Sequence, residues 1–168
     1  MTSVATSDYT LPEGSPEAAM NIVLFQPEIP QNTGNIGRTC VALNMKLWLV
    51  RPMGFRLDST QVKRAGLDYW EHLDYEICES WDDLCLKLQP DAMWFFTKFA
   101  TRNYTDTQFK SNDALVFGSE TSGLPDSIHQ KYAEQRLSIP MPGKVRSLNL
   151  ATSVGIAAYE AYRQLASQ

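Results

Sequence analysis

The sequence predicts an α/β domain with a mostly parallel sheet and helices on both faces. Six short apolar runs, several rich in β-branched or aromatic residues, alternate with helix-like segments, and this alternation is typical of a parallel sheet. With 168 residues the chain is long enough for one such domain and too short for two ordinary ones. Its 43% hydrophobic and 20% charged residues favour a globular domain over bulk disorder or a fibrous repeat.

The predicted elements follow in a regular order. Strands are expected at Ile22–Phe25, Leu47–Val50, Tyr75–Cys78, Met93–Thr97, Ala114–Phe117 and Leu137–Ile139. Helices are expected at Asn35–Leu43, Thr60–Ala65, Trp81–Leu88, Ser127–Ala133 and Asn149–Leu165, with Asn149 as the N-cap of the last. Small residues at Ala151, Gly155 and Ala158 indicate that this last helix is either tightly buried or part of a subunit interface.

The two ends of the chain and its cysteines restrict the class of protein. Residues 1–19 are rich in Ser, Thr, Pro and Ala and predict a flexible extension, so the domain is expected to span residues 20–168. No membrane span, signal peptide or transit peptide is predicted, which favours a cytoplasmic location. Cys40, Cys78 and Cys85 lack paired CxxC spacing, so buried thiols are expected rather than disulfides or a metal site.

The net charge of −4 argues at first against a polyanionic partner, but the charge is segregated along the chain. Residues 1–37 contain four acidic residues and no Lys or Arg, whereas residues 38–66 contain six basic residues and one acidic residue. Residues 67–97 are again acidic and residues 98–168 slightly basic. The total therefore does not exclude a nucleic-acid partner, because phosphate contacts depend on local Lys and Arg residues.

Three loops that follow predicted strands carry the candidate chemistry, since ligands of parallel sheets bind at the carboxyl ends of the strands. The first is PEIPQNTGNIGR, residues 27–38, which suggests a stiff turn before a helix whose amides could meet an anion. The second is FGSETSGLP, residues 117–125, with two glycines around Glu120. The third is IPMPGKVRSLNL, residues 139–150, a proline-stiffened loop that could hold a purine edge.

Each of these loops has an ordinary interpretation when taken alone. Arg38 could form a surface salt bridge, the second loop could be a plain strand-to-helix turn, and the third could have a solvated basic tip. Dinucleotide, nucleotide-triphosphate and hydrolase motifs are not present. The two histidines, His72 and His129, lie in polar contexts and are expected to be surface or helix residues.

Together and in this order, the three loops resemble the motifs of the SPOUT class of RNA methyltransferases, in particular its minimal TrmL/YibK-like branch. The resemblance covers residues 20–166 and includes the segments RPMGF (51–55), KRAGLDY (63–69) and YEAYR (159–163). It implies a domain with a C-terminal deep trefoil knot, an exception to the rule that chains are unknotted. It also implies a homodimer with the active site completed across the interface.

The implied activity is S-adenosylmethionine-dependent methyl transfer to the ribose 2′-oxygen of the wobble cytidine or uridine in the tRNA anticodon loop, with S-adenosylhomocysteine as product and no metal. Alternatives are a 2′-O-methyltransferase for ribosomal RNA or another tRNA position, and a non-catalytic RNA-binding module. Position by position, the resemblance implies cofactor contacts at Phe96, Gly118, Ile139, Met141, Ser147 and Leu148. Arg38 matches the catalytic arginine, and Ala151 stands where related enzymes usually carry Ser.

Overall fold

A computed structural model describes residues 20–57 and 69–167 of the chain. Its centre is a six-stranded sheet in the order β3-β2-β1-β5-β4-β6, and all five strand pairs are parallel. The strands are β1 Asn21–Phe25, β2 Lys46–Val50, β3 Tyr75–Cys78, β4 Met93–Phe96, β5 Ala114–Phe117 and β6 Arg136–Leu137. The predicted strands are therefore confirmed, with β4 and β6 ending one and two residues earlier than expected.

Four α-helices are found in the described part of the chain. They are α1 Pro30–Ala42, α2 Trp81–Lys87, α3 Asp126–Lys131 and α4 Leu150–Leu165. Short 3₁₀ turns lie at Trp70–His72, Tyr104–Asp106 and Ala133–Gln135. The predicted helix at Thr60–Ala65 and the predicted extension at residues 1–19 lie outside the described residues.

The sheet is covered on both faces, which confirms the predicted α/β class. Successive residues of β1 point to opposite sides, so Ile22 and Leu24 pack with α1 and α4, whereas Val23 packs with α2 and α3. The four residues from Asn21 to Leu24 are buried, as expected of a central strand in a parallel sheet. The apolar runs of the sequence therefore mark this two-sided core.

The strand order places three loops together at one end of the molecule. β2 pairs with one side of β1, and β3 extends the sheet beyond it. β5 pairs with the other side of β1, with Leu24 in register with Phe117. Such a switch in strand order opens a crevice at the carboxyl ends of the strands. The loops after β1 and β5 leave from neighbouring positions at that crevice.

The predicted start of α1 at Asn35 is wrong, because the helix already begins at Pro30. Proline suits the first position of a helix, where no hydrogen bond from its nitrogen is needed. Asn32 and Gly34, interpreted from the sequence as turn residues, are buried inside the helix. Arg38 therefore lies more than two helical turns from the N-terminus rather than about one.

Close packing accounts for a glycine inside α1. A Cβ atom on Gly37 would lie 3.1 Å from side-chain atoms of Trp70 and Leu73, which belong to the turn that precedes β3. This is tighter than an ordinary van der Waals contact. The absence of a side chain at Gly37 lets α1 approach that turn.

The small residues of α4 do not share one environment. Ala158 is buried in the core beside Val154 and Ala157, whereas a Cβ atom on Gly155 would meet nothing within 4 Å. The buried face of the helix thus includes Ala158, and Gly155 opens away from it. Tight burial is therefore confirmed for Ala158, and the alternative of a subunit interface stays a prediction.

Candidate functional site

Glu120 in the loop after β5 binds the chain where α1 begins. Its carboxylate accepts hydrogen bonds from the backbone N–H groups of Glu28 and Ile29 at 2.8 and 3.1 Å and from Asn32 Nδ2 at 3.0 Å. The sequence suggested that these amides could meet an anion, and the anion in the structure is this carboxylate. The entrance to α1 is consequently occupied by the protein's own side chain.

A reciprocal contact strengthens the junction of the two loops. The Glu28 carboxylate accepts hydrogen bonds from the backbone N–H of Thr121 at 2.9 Å and from its hydroxyl at 2.6 Å. Each loop therefore supplies a carboxylate to the backbone of the other, an arrangement that fixes their relative position.

The third loop joins through Asn149. Its Nδ2 donates to Asn32 Oδ1 at 3.0 Å, and its Oδ1 accepts from the N–H groups of Ala151 and Thr152 as the predicted N-cap of α4. One side chain thus starts α4 and ties that helix to α1. We call this set the carboxyl-edge cluster, and its members are Glu28, Asn32, Glu120, Thr121 and Asn149.

Two glycines shape the loop after β5. Ser119 and Gly123 exchange backbone hydrogen bonds at 3.2 and 3.0 Å, and Gly123 has φ of +67°, which favours glycine. A Cβ atom on Gly118 would lie 2.2 Å from the backbone carbon of Gly123 and 2.4 Å from the nitrogen of Leu124. Only glycine therefore allows the turn to fold back on the end of β5.

Next to these loops lies a cavity of about 440 Å³, within the size range of small-molecule sites. It is bounded by the segments after β4 and β5, by residues 139–150 and by the first residues of α4. All six residues that the resemblance implies as cofactor contacts line it: Phe96, Gly118, Ile139, Met141, Ser147 and Leu148. The structure thus brings together residues from three separate segments, and their role as cofactor contacts stays a prediction.

Arg38 is in a different place. It does not line this cavity but lies on the exposed face of α1, with its guanidinium carbon 4.7 Å from the centre of the Tyr69 ring. The buried Tyr69 is itself attached to α1, since its hydroxyl donates to the backbone oxygen of Gly34. The aromatic ring therefore orients Arg38 on the outside of its own chain.

Sequence reasoning missed two residues at the mouth of the cavity. Phe99, three residues after β4, and His129 on α3 both line it, with their rings 5.8 Å apart and nearly perpendicular. The sequence interpretation of His129 as a helix residue is confirmed, but it is half-buried beside the cavity rather than on an open surface. The sequence could have indicated Phe99, because it is an aromatic residue two positions after the predicted end of a strand, where ligands of parallel sheets bind.

The cysteines and the remaining ionisable groups show no second centre in the described residues. Cys40 and Cys78 are buried and free, and burial raises the pKa of their thiols to about 12 and about 11, so both stay protonated at neutral pH. Within residues 20–57 and 69–167, no three His, Cys, Asp or Glu side chains are grouped to hold a metal ion. Nor does any helix of those ranges have the length and apolar character needed to cross a bilayer.

Most of the chain is similar in sequence to known RNA methyltransferases. Residues 19–159 match the model of the SpoU rRNA Methylase family. The chain is 43% identical over 145 residues to the tRNA (cytidine(34)-2′-O)-methyltransferase of Methylovorus glucosotrophus, a match that covers 86% of this chain and 94% of that protein.

Two solved structures share the fold. One, reported for the 2-OH methylation of C/U34 on tRNA, has a TM-score of 0.86 at 46% identity and covers 90% of this chain and 99% of that chain. The other is the AdoMet-bound rRNA methyltransferase of Sinorhizobium meliloti, with a TM-score of 0.78 at 25% identity. That match covers 89% of this chain but 57% of the rRNA enzyme.

Proposed function

The chain belongs to the SpoU rRNA Methylase family, and from that premise we propose that it transfers a methyl group from S-adenosylmethionine to the ribose 2′-oxygen of the wobble nucleotide, position 34, of tRNA. The observation that carries the proposal is the convergence of all six expected cofactor residues on one cavity. The tRNA relative matches at higher identity and nearly end to end, whereas the rRNA enzyme is almost twice as long as the matched region. This favours a tRNA substrate over a ribosomal one.

The cavity has the chemistry that the cofactor needs. Phe96, Ile139 and Leu148 supply apolar walls, and residues 139–149 form no helix or strand, which leaves backbone polar groups of that loop for ligand contacts. His129 lines the same cavity, and its Nδ1 atom is buried without a hydrogen-bond partner. When bound, S-adenosylmethionine supplies an electrophilic methyl group on a sulfonium centre.

The chain's own contribution to the reaction is positioning and charge. In the transfer, the ribose 2′-oxygen would bond to the methyl carbon as the carbon–sulfur bond breaks, the hydroxyl proton would pass to water, and S-adenosylhomocysteine would be the product. Arg38 orients the ribose or its neighbouring phosphate and stabilises the negative charge that develops on the oxygen. A guanidinium stays protonated at neutral pH, so Arg38 is not assigned the role of general base.

The position of Arg38 supports a homodimer. Because the side chain is exposed on α1 and does not line its own chain's cavity, we infer that it completes the cavity of a partner protomer. The open position at Gly155 and the exposed Tyr159 lie on α4, the helix that packs against α1, and offer a surface for a partner protomer. Protomers that exchange arginines in this way form two composite sites.

Mixing experiments test this arrangement. Arg38→Ala and Gly118→Ala proteins, each weakly active alone at a limiting S-adenosylmethionine concentration, should gain activity when they are unfolded and refolded together, because one of the two sites in a mixed dimer is intact. Sedimentation checks that the refolded mixture is dimeric. If such a mixture gains no methyl-transfer activity, Arg38 and the cavity of one active site come from the same protomer.

The resemblance also implies a knot, and residues 138–149 are the part of the chain through which we propose that it forms. Ser138 exchanges backbone hydrogen bonds with Arg102 and Tyr104, and Asn149 is bonded to Asn32. The segment between them is thus held at both ends against parts of the chain that precede it. When a single molecule is stretched by its two termini, the length of the fully unfolded chain should be less than the length expected for 168 extended residues. The reason is that a knot tightens under force and retains part of the chain.

Total RNA from a strain that lacks the protein, containing both tRNA and ribosomal RNA, provides the test of substrate. We expect labelled methyl groups from S-adenosylmethionine to be found at position 34 as a 2′-O-methyl nucleoside. Label at another tRNA position, or in ribosomal RNA alone, would contradict the wobble assignment and leave the fold intact.

We also expect the enzyme in the cytoplasm, with its tRNA.

A further inference from the structure

Phe99 is unusually exposed for a residue that lines a cavity. Its side chain is 64% exposed, whereas Phe96, three residues earlier in the same cavity wall, is 9% exposed. Burying a phenylalanine side chain is favourable by several times the thermal energy, so a large aromatic ring left in solvent at the mouth of a site indicates a binding surface.

The ring is held in place. Thr97 Oγ1 accepts a hydrogen bond from the backbone N–H of Phe99 at 3.3 Å, and the N–H of Ala100 donates to the oxygen of Thr97 at 3.3 Å. The His129 ring meets the Phe99 ring at 88°, an edge-to-face arrangement that favours a fixed orientation. The backbone of this turn and the ring contact with His129 together define the position of the aromatic surface.

Two basic side chains border the same cavity as the ring. The ammonium group of Lys98 lies 5.3 Å from the centre of the Phe99 ring, and Arg146 lines the same cavity. An exposed aromatic ring next to Lys and Arg side chains is the combination with which proteins bind unpaired nucleotides, because the base stacks on the ring and the phosphate meets the cation.

We propose that Phe99 stacks on an unpaired base of the RNA substrate next to the ribose that is methylated, with Lys98 at the adjacent phosphate. The inference rests on the proposed function, which supplies an RNA substrate, and goes beyond it by assigning a base-binding residue. The ring lies at the mouth rather than inside, beyond the apolar walls formed by Phe96, Ile139 and Leu148. Its partner is therefore the RNA rather than the cofactor.

The test compares Phe99→Ala with Phe99→Trp in two binding assays. Phe99→Ala should weaken binding of a fluorescent anticodon stem-loop about tenfold or more, as stacking contacts do when removed, and Phe99→Trp should restore it. Affinity for S-adenosylhomocysteine should be unchanged in both variants. Because the side chain is mostly exposed, both should fold like the original protein, which circular dichroism checks.

Leu86→Ala is the matched control, since Leu86 on α2 is 78% exposed and does not line the cavity. It removes a comparable exposed apolar side chain and should leave RNA binding unchanged. A parallel loss in Phe99→Ala and Leu86→Ala would show a nonspecific effect and overturn the inference.

Stem-loops that lack one base identify the contact. If Phe99 stacks on the base at position 34 or on a neighbour, the Phe99→Ala penalty should vanish with the RNA that lacks that base and persist with the others. Unchanged RNA affinity in Phe99→Ala, or an equal loss of S-adenosylhomocysteine affinity, would overturn the proposal. RNA binding and methyl transfer are measured separately, so the two proposals can fail independently. If the unmutated protein binds the stem-loop but methylates a position other than 34, the proposed function is contradicted. The effect of Phe99→Ala on RNA affinity still tests the base contact in that case.

Discussion

Two clusters of polar side chains lie at opposite edges of the same parallel sheet. The carboxyl-edge cluster joins the loops that follow β1 and β5 to the start of α4. The other, which we call the amino-edge cluster, lies where the strands begin and consists of Asn21, Trp48, Trp94, Asn112 and Asp113. Both rely on hydrogen bonds between residues far apart in the sequence.

The two clusters differ in what they enclose. At the amino edge, Trp48 Nε1 donates to Asn21 Oδ1 and Trp94 Nε1 donates to Asp113 Oδ2, both at 2.9 Å, and Asn21 and Asp113 are buried. At the carboxyl edge, the bonds of Glu120 hold loops that border an open cavity. Hydrogen bonds between polar side chains thus belong to the buried core at the amino edge and position the loops of a cavity at the carboxyl edge. Mutations at the amino edge should therefore lower stability, and mutations at the carboxyl edge should lower ligand binding or activity.

The largest effect should come from Arg38, which we propose as the residue that stabilises charge during methyl transfer. Arg38→Ala should lower the methyl-transfer rate about 100- to 1000-fold, the usual result of removing a group that stabilises developing charge, and leave S-adenosylhomocysteine affinity unchanged. Single-turnover kinetics and calorimetry measure the two effects. Arg38→Lys keeps the charge without the planar fork and should recover only part of the rate. An equal loss of cofactor affinity would remove Arg38 from the catalytic role.

Gly118→Ala should weaken cofactor binding about 10- to 100-fold, since the new methyl group overlaps the backbone of Gly123 and Leu124 and the loop must move. Gly143→Ala is the matched control: it makes the same change in the third loop, where a Cβ atom would meet nothing within 4 Å. Titration with S-adenosylhomocysteine measures both. Similar affinities in the two variants would show that the turn at Gly118 does not shape the site.

A change at the amino edge should affect stability rather than catalysis. Asp113→Ala leaves Trp94 Nε1 and the backbone N–H of Lys110 without their acceptor, which should cost about 2 kcal/mol of the free energy of unfolding. Urea denaturation measures this loss. The transfer rate per folded molecule should remain that of the original protein, and a selective loss of rate would mean that the two edges are coupled.

The smallest effect concerns α4, which links the two edges. Asn149 caps its start, and Gln164 near its end bonds to Thr107 and Phe109. The Arg163 guanidinium holds the pKa of Glu160 below its ordinary value of 4.5. This stabilisation is therefore fully present above pH 4.5 and is lost as the pH falls through the lower folded-state pKa.

Glu160→Gln should accordingly lower the melting temperature slightly at pH 7, by an amount that corresponds to a few tenths of a kcal/mol. The difference from the original protein should shrink and close as the pH falls through the folded-state pKa of Glu160, which lies below 4.5. A difference that persists unchanged in acid would show that the ion pair with Arg163 is not its source.

Local patterns were sufficient to locate most elements. The strands Tyr75–Cys78 and Ala114–Phe117 agree with their predicted bounds because an apolar run defines a buried strand without reference to the rest of the chain. The start of α1 could not be found in this way, because Glu120 binds its N-terminus from 88 residues beyond Asn32. The glycine at Gly37 likewise depends on Trp70 and Leu73, which approach only in the folded chain.

The sequence by itself determined the α/β class, the order of the elements and the three loops that carry the candidate chemistry, since these depend on residue type and local spacing. Only the tertiary structure decided that six separated residues line one cavity, that Arg38 faces outward from the same chain, and that Phe99 stays exposed at the mouth. These facts follow from the strand order and from long-range hydrogen bonds, whose partners are not neighbours in the sequence.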